Sequence, residues 1–116
     1  MNIYALSSGR GPSGIAIIRL SGKSTRKISE LISKQNKLKE KEVNFTKFYN
    51  PKDDSLIDEG LILWFPSPKS FTGDDLAEFH VHGSNAVISL FLAVLSEQKN
   101  CRLAEPGEFT KIAFQN

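Results

Sequence analysis

Glu78, His80 and His82 alternate along the run LAEFHVH, Leu76 to His82. Strand side chains point to opposite faces in turn, so all three would project from one face. Two imidazoles and a carboxylate are zinc ligands, and Cys101 is a fourth candidate. Nothing in the sequence brings Cys101 near them, however, and short His-x-His pairs recur without metal. A polar ligand or water is the better occupant of such a face, and no metal site is assigned. Glu78 lies between the apolar Ala77 and Phe79. A carboxylate held there can accept paired hydrogen bonds from an amidine-like ring edge. Arg19 interrupts the apolar run IAIIRL, Ile15 to Leu20, where a cation is costly to bury without an anionic partner. Two readings stay open for it. One is a salt bridge with Glu78 or another acid at the strand edge. The other is a guanidinium presented to a ligand carboxylate, whose shape its planar fork matches.

Gly9, Gly11 and Gly14 have the spacing G-x-G-x-x-G, which in dinucleotide-binding folds brings backbone amides to a pyrophosphate. Here the glycines precede a strand instead of opening a helix, and Pro12 removes one amide. The favoured reading is a turn that needs positive φ and lets a ligand come close. SGKST, Ser21 to Thr25, imitates the end of a Walker A loop, but the first glycine of that motif falls on Ile17, inside a strand. These residues therefore hold no GTPase or ATPase site of their own. Trp64 and the phenylalanines at 65, 71 and 79 are assigned to the core.

The elements that must position these residues follow from periodicity. Ile3 to Leu6 and Ile15 to Leu20 read as strands flanking the glycine loop, and Ser21 or Ser24 caps a helix that carries Ile28, Leu31 and Ile32 and fades by Lys34. KQNKLKEKE, Lys34 to Glu42, is polar linker. Val43 to Tyr49 alternates as a half-buried strand and can pair with Leu61 to Phe65 as an antiparallel ribbon. Leu76 to Val81 is a strand, and Ser84 caps a helix, Asn85 to Gln98, apolar enough to be buried by its own core or a partner subunit. Arg102 to Ala104 is a short last strand, and Pro106 opens a final helix. That helix runs to Asn116 without a C-cap, from which a longer natural chain is expected.

At 116 residues the chain suits one α+β domain. Its 40% hydrophobic and 24% charged residues exclude disorder by composition. The net charge of +2, from 15 basic and 13 acidic residues, is too small to argue for nucleic-acid binding by itself. The lysines between Lys23 and Lys47 read as a solvated surface. A single cysteine suits a reducing compartment, and the longest apolar stretch, Ala86 to Leu95, falls far short of the roughly 20 residues that span a bilayer. A cytoplasmic protein without membrane contact is expected.

Three stretches in order, GRGPSGIAIIRLSG, LWFPSPKSFTGDDLAEFHVHGS and RLAEPGEFTKIAFQN, resemble the successive motifs of the N-terminal domain of the MnmE/TrmE family of tRNA-modification GTPases. The resemblance covers nearly the whole chain. It implies an α+β fold with a small mixed sheet and helices packed on it, similar to folate-binding aminomethyltransferase-like domains. It implies a homodimer that binds a tetrahydrofolate derivative, 5-formyl or 5,10-methylene, near the dimer interface. The helical and GTPase domains of the family, with their GTP, Mg2+ and K+, lie outside residues 1–116. With the flavoprotein MnmG, the whole family protein modifies the wobble uridine of certain tRNAs. Matched by motif, Arg19 in IIRLSG and Glu78 in LAEFHVHG are the folate-contacting arginine and glutamate, with Gly11, Gly14 and His82 as further candidates. No catalytic residue is implied. The family's lysine after PGEF would fall just past Asn116. The family commonly has His-Gly-Gly where this chain has His82-Gly83-Ser84, and His80 matches no family function. Two rival readings remain: a stand-alone aminomethyltransferase-like one-carbon enzyme, and a dimerisation module to which folate is incidental.

Overall fold

Alternating runs such as Val43 to Tyr49 and nearly continuous apolar runs such as Ile15 to Leu20 together build one sheet. The computed structural model describes residues 1–7 and 14–115. Among these the strands are β1 (Asn2–Leu6), β2 (Ile15–Ser21), β3 (Val43–Tyr49), β4 (Leu56–Phe65), β5 (Leu76–His82) and β6 (Cys101–Leu103). The helices are α1 (Thr25–Ser33), α2 (Asn85–Ser96) and α3 (Glu108–Gln115). The strands lie in the order β3-β4-β5-β2-β1-β6. All neighbours are antiparallel except β6, which joins β1 in parallel. This mixed sheet with packed helices is the expected α+β fold, and β3 and β4 form the expected ribbon.

One face of the sheet is covered by α1 and α2. Ala16, Ile18, Leu20, Ile62, Trp64, Ala77, Phe79 and Val81 point into that layer and are buried. They meet Ile28 and Ile32 of α1 and Ile88, Phe91, Val94 and Leu95 of α2. At the centre Phe48 stands edge-on to Phe79 and Phe91, with ring centroids 5.9 and 5.3 Å away, a geometry that brings ring edges to ring faces.

Several local details depart from expectation for identifiable reasons. Ser24 is the N-cap of α1, but its hydroxyl bonds no helix amide. Asn2 does that work from 22 residues away, its Oδ1 accepting the Ser24 N–H at 2.9 Å. Gly22, at φ 139°, makes this approach feasible, since a Cβ there would sit 2.3 Å from Asn2 Oδ1. The hydroxyls of Ser21 and Thr25 in SGKST are engaged internally: Ser21 bonds Thr72 and the Asp75 carbonyl, and Thr25 donates to the Gly22 carbonyl. Ser84 caps α2 as expected, its Oγ accepting the Val87 N–H at 3.2 Å. Yet α2 buries only one side, and Ala86, Leu90 and Ala93 are exposed. The polar linker is anchored by Asn44, whose amide bonds both the N–H and the carbonyl of Lys39. Finally, α3 begins at Glu108 because Gly107, at φ 77°, turns the chain after Pro106.

Candidate functional site

The sheet face away from α1 and α2 carries two rows of register partners. One is Ala5, Arg19, Glu78, Leu63 and Val43, and the next is Ile17, His80, Leu61 and Phe45. Register sets Arg19 opposite Glu78, and Arg19 Nε donates to Glu78 Oε2 at 3.0 Å, with the side chains 31% and 16% exposed. The salt-bridge reading of Arg19 is therefore realised. The ligand reading survives beside it, because Nε is one of five donors on the guanidinium, and among the described residues its Nη groups make no hydrogen bond.

Two further groups close around the pair. His80 Nε2 lies 3.2 Å from Glu78 Oε1, so the carboxylate is held between a guanidinium and an imidazole. Phe71, on the loop between β4 and β5, places its ring centroid 5.3 Å from Arg19 Cζ, within cation–π range. It is 49% exposed, which corrects its assignment to the core; Trp64 and Phe79 are buried as expected. The loop is tied down by Ser67, whose N–H donates to Asp75 Oδ1 and whose hydroxyl donates to the Gly73 carbonyl.

His82 lies farther along the same strand face. Its backbone N–H donates to Asp58 Oδ2 at 2.7 Å, and its Nδ1 lies 2.8 Å from Asp58 Oδ1. Asp58 is almost buried while the imidazole stands in solvent. The two histidines should consequently hold opposite neutral tautomers, Nε2–H in His80 and Nδ1–H in His82. Nitrogen-15 chemical shifts of the two rings at a pH where both are neutral would check this. The same tautomer in both would show that one of the carboxylate contacts is misassigned.

Arg19 forms part of the wall of a cleft of about 480 Å³, a size typical of small-molecule sites. Ala5 and Ser7, Leu103 of β6, and Pro106 and Phe109 line it with Arg19; Glu78 is not on this wall and adjoins it through Arg19. The rim is fastened where Arg102 grips Glu108 through both guanidinium Nη atoms, at 2.8 and 2.5 Å. That guanidinium, with the Glu105 N–H, lowers the Glu108 carboxyl to about 2. Gly14 and His82 line a separate hollow of about 180 Å³ with Ile15, Gly60 and His80. The Gly14 carbonyl accepts the Gly83 N–H at 3.1 Å. Among the described residues nothing lies within 4 Å of a Cβ built on Gly14. Gly9 and Gly11 lie outside the described residues.

Cys101 sits on β6, three strands from β5, or about 14 Å at the usual strand spacing. Burial pushes its thiol up. Among the described residues no group of three or more His, Cys, Asp or Glu is placed to hold a metal ion. None of the helices there is long and apolar enough to cross a membrane.

A family model described as the N-terminus of the GTP-binding protein TrmE matches residues 2–116. The chain is 54% identical over 116 residues to the tRNA modification GTPase MnmE of Pelagibacter ubique, covering all of this chain and 26% of that protein. It is 51% identical over 114 residues to the protein of the same name from Brucella canis, covering 98% of this chain and 25% of that one. The chain thus spans about a quarter of the length of the curated relatives it matches.

Proposed function

This chain belongs to the TrmE N-terminal family, and on that premise we propose that it is the folate-binding, dimer-forming domain of a tRNA modification GTPase. In this reading the whole protein works in the cytoplasm with the flavoprotein MnmG. It adds a carboxymethylaminomethyl group to C5 of the wobble uridine of tRNA, and GTP, Mg2+ and K+ are bound outside residues 1–116. The names of the relatives support the tRNA modification and GTPase parts of this reading.

One observation supports folate binding above the rest. Arg19 and Glu78 face each other on the side of the sheet away from α1 and α2, with Arg19 in the wall of the cleft of about 480 Å³. The residues present fit a tetrahydrofolate. Glu78 is an acceptor-only carboxylate whose oxygens keep lone pairs beyond those facing Arg19 and His80. The amino-amide edge of a pterin offers adjacent N–H donors to such a group. The unused Nη donors of Arg19 suit carbonyl or carboxylate oxygens of the same ligand. A lysine beyond Asn116 would complete the set. When bound, the 5-formyl or 5,10-methylene folate supplies the one-carbon unit, while this chain binds and orients it. Neither Arg19 nor Glu78 does covalent chemistry.

The dimer reading is supported by the same face, where Ile15, Val43 and Phe45 are 59%, 48% and 78% exposed. Val43 and Phe45 lie on the edge strand β3 and Ile15 on β2, three strands away, and exposed apolar residues of this kind suit pairing with a second copy.

Titration of 5-formyltetrahydrofolate into the full-length encoded protein tests the site. Glu78→Ala is expected to weaken binding by roughly 30-fold or more, the usual scale for removing a charged hydrogen-bonding partner. Equal affinities in wild type and variant would remove the glutamate from the site.

A further inference from the structure

Phe71 is the residue of this face that neither the motif match nor the salt bridge accounts for. A large aromatic on a loop is normally turned inward, since its area gains most from burial. Here the ring is held out. The loop that carries it is closed by bonds of its own: Ser67 to Asp75 and Gly73, the Gly73 N–H to Ser70 Oγ at 3.0 Å, and the Asp74 N–H to Thr72 Oγ1. Thr72, the next residue, is fully buried and bonded to Ser21 Oγ at 2.7 Å. Phe71 is thus displayed on a fixed support, with the Arg19 guanidinium 5.3 Å from its centroid and about half of its surface still in water.

We propose that Phe71 is a ligand-contacting residue, the stacking surface for the flat ring of the molecule whose polar groups Arg19 and Glu78 hold. This rests on the folate reading of the site and extends it. The carboxylate and guanidinium fix a ring by its edge, and edge contacts alone leave both ring faces in water. An aromatic side chain next to the same guanidinium supplies the missing face, and π-stacking on a rigid ring costs little conformational freedom. The ligand class follows: a planar, nitrogen-rich ring with an N–H donor edge and an acidic or carbonyl tail.

The test is titration of 5-formyltetrahydrofolate into the full-length encoded protein and its variants Phe71→Ala, Phe71→Leu, Phe71→Trp and Glu78→Ala. The ring is half exposed, so the three Phe71 variants should fold, and circular dichroism verifies the fold of all four. Phe71→Ala is expected to weaken binding roughly 10- to 100-fold, the scale of base-on-aromatic stacking. Phe71→Leu should recover little, because it restores apolar bulk without a π face. Phe71→Trp should bind within a few-fold of wild type, and its emission should be quenched as folate saturates. Trp64, only 4% exposed, gives a steady background in the wild type. Wild-type affinity in Phe71→Ala beside a loss in Glu78→Ala overturns the stacking role and leaves the site intact. Full recovery by Phe71→Leu also overturns it, in favour of plain packing. A shift of the monomer–dimer equilibrium in Phe71→Ala with folate affinity unchanged would reassign the ring to subunit contact. Failure of the wild type to bind folate would overturn the site reading itself, and with it the stacking inference.

Discussion

Gly60→Ala is expected to destabilise the protein by about 3 kcal/mol, the upper end of the cost of overpacking a tight site, and to lower Tm by roughly 10 °C or more. Gly60 lies in β4 where that strand runs beside β5. A Cβ on Gly60 would stand 1.9 Å from the His80 carbonyl oxygen, 3.1 Å from its carbonyl carbon and 3.2 Å from the Phe48 ring. The first two are backbone atoms, which cannot rotate aside as a side chain can. Relief therefore requires β4 and β5 to part where Leu61 pairs with His80. Gly60 is not at positive φ, so the cost is collision and not backbone strain. Because His80 touches Glu78, the same displacement should weaken folate binding. Thermal unfolding compared with Gly14→Ala provides the control, since no described residue lies within 4 Å of a Cβ at Gly14 and its substitution should move Tm little. An unchanged Tm in Gly60→Ala would mean that the sheet can widen there at no cost.

The contrast between these two glycines shows where the sequence is informative and where it is not. Glycine reads the same at both positions, and only the neighbouring strand makes one indispensable. Because strand side chains point to alternate faces, reading IAIIRL and LAEFHVH as strands is enough to put Arg19 on one face of its strand and Glu78, His80 and His82 on one face of theirs. That Arg19 and Glu78 then stand opposite one another depends on register, which alternation permits in many alignments but does not select. Asp58 carried no signal, because β4 reads from sequence as Leu61 to Phe65, whereas pairing with β3 extends the strand back to Leu56. The missing half holds the carboxylate that fixes His82. Asn2 was invisible as the cap of α1 for a related reason: its partner is distant in sequence, and serine next to a helix start is the local rule. Phe71 was misplaced because aromatic residues usually do belong to cores, and nothing local announces a loop stiff enough to display one. The folate-contacting roles proposed for Arg19 and Glu78 rest on the motif match, not on periodicity.

The second large effect concerns the pair itself, where structural and ligand-binding roles can be separated by exchanging the two residues. Arg19→Glu alone should place two carboxylates opposite each other across β2 and β5, a like-charge pair on a half-buried face. A loss of about 2 kcal/mol is expected, given side chains only 31% and 16% exposed. Glu78→Arg alone should do the same with two guanidinium groups. The double exchange, Arg19→Glu with Glu78→Arg, restores opposite charges in register, and residues in contact show strong coupling. Most of the lost stability should return, measured as Tm or the urea midpoint. Recovery should stop short of complete, because His80 Nε2 and the Phe71 ring are placed for the original order, a carboxylate beside the imidazole and a cation beside the ring. Folate affinity should behave oppositely and stay at least about 100-fold down in the double variant. The N–H donors of the pterin edge would then meet a guanidinium, which accepts nothing. If affinity returned together with stability, the pair would be a cross-strand brace and the ligand would be held elsewhere. If stability failed to return, the flanking imidazole and ring would be shown to dictate which charge stands on which strand. Stability without affinity is the result that a binding pair, and not a brace, requires.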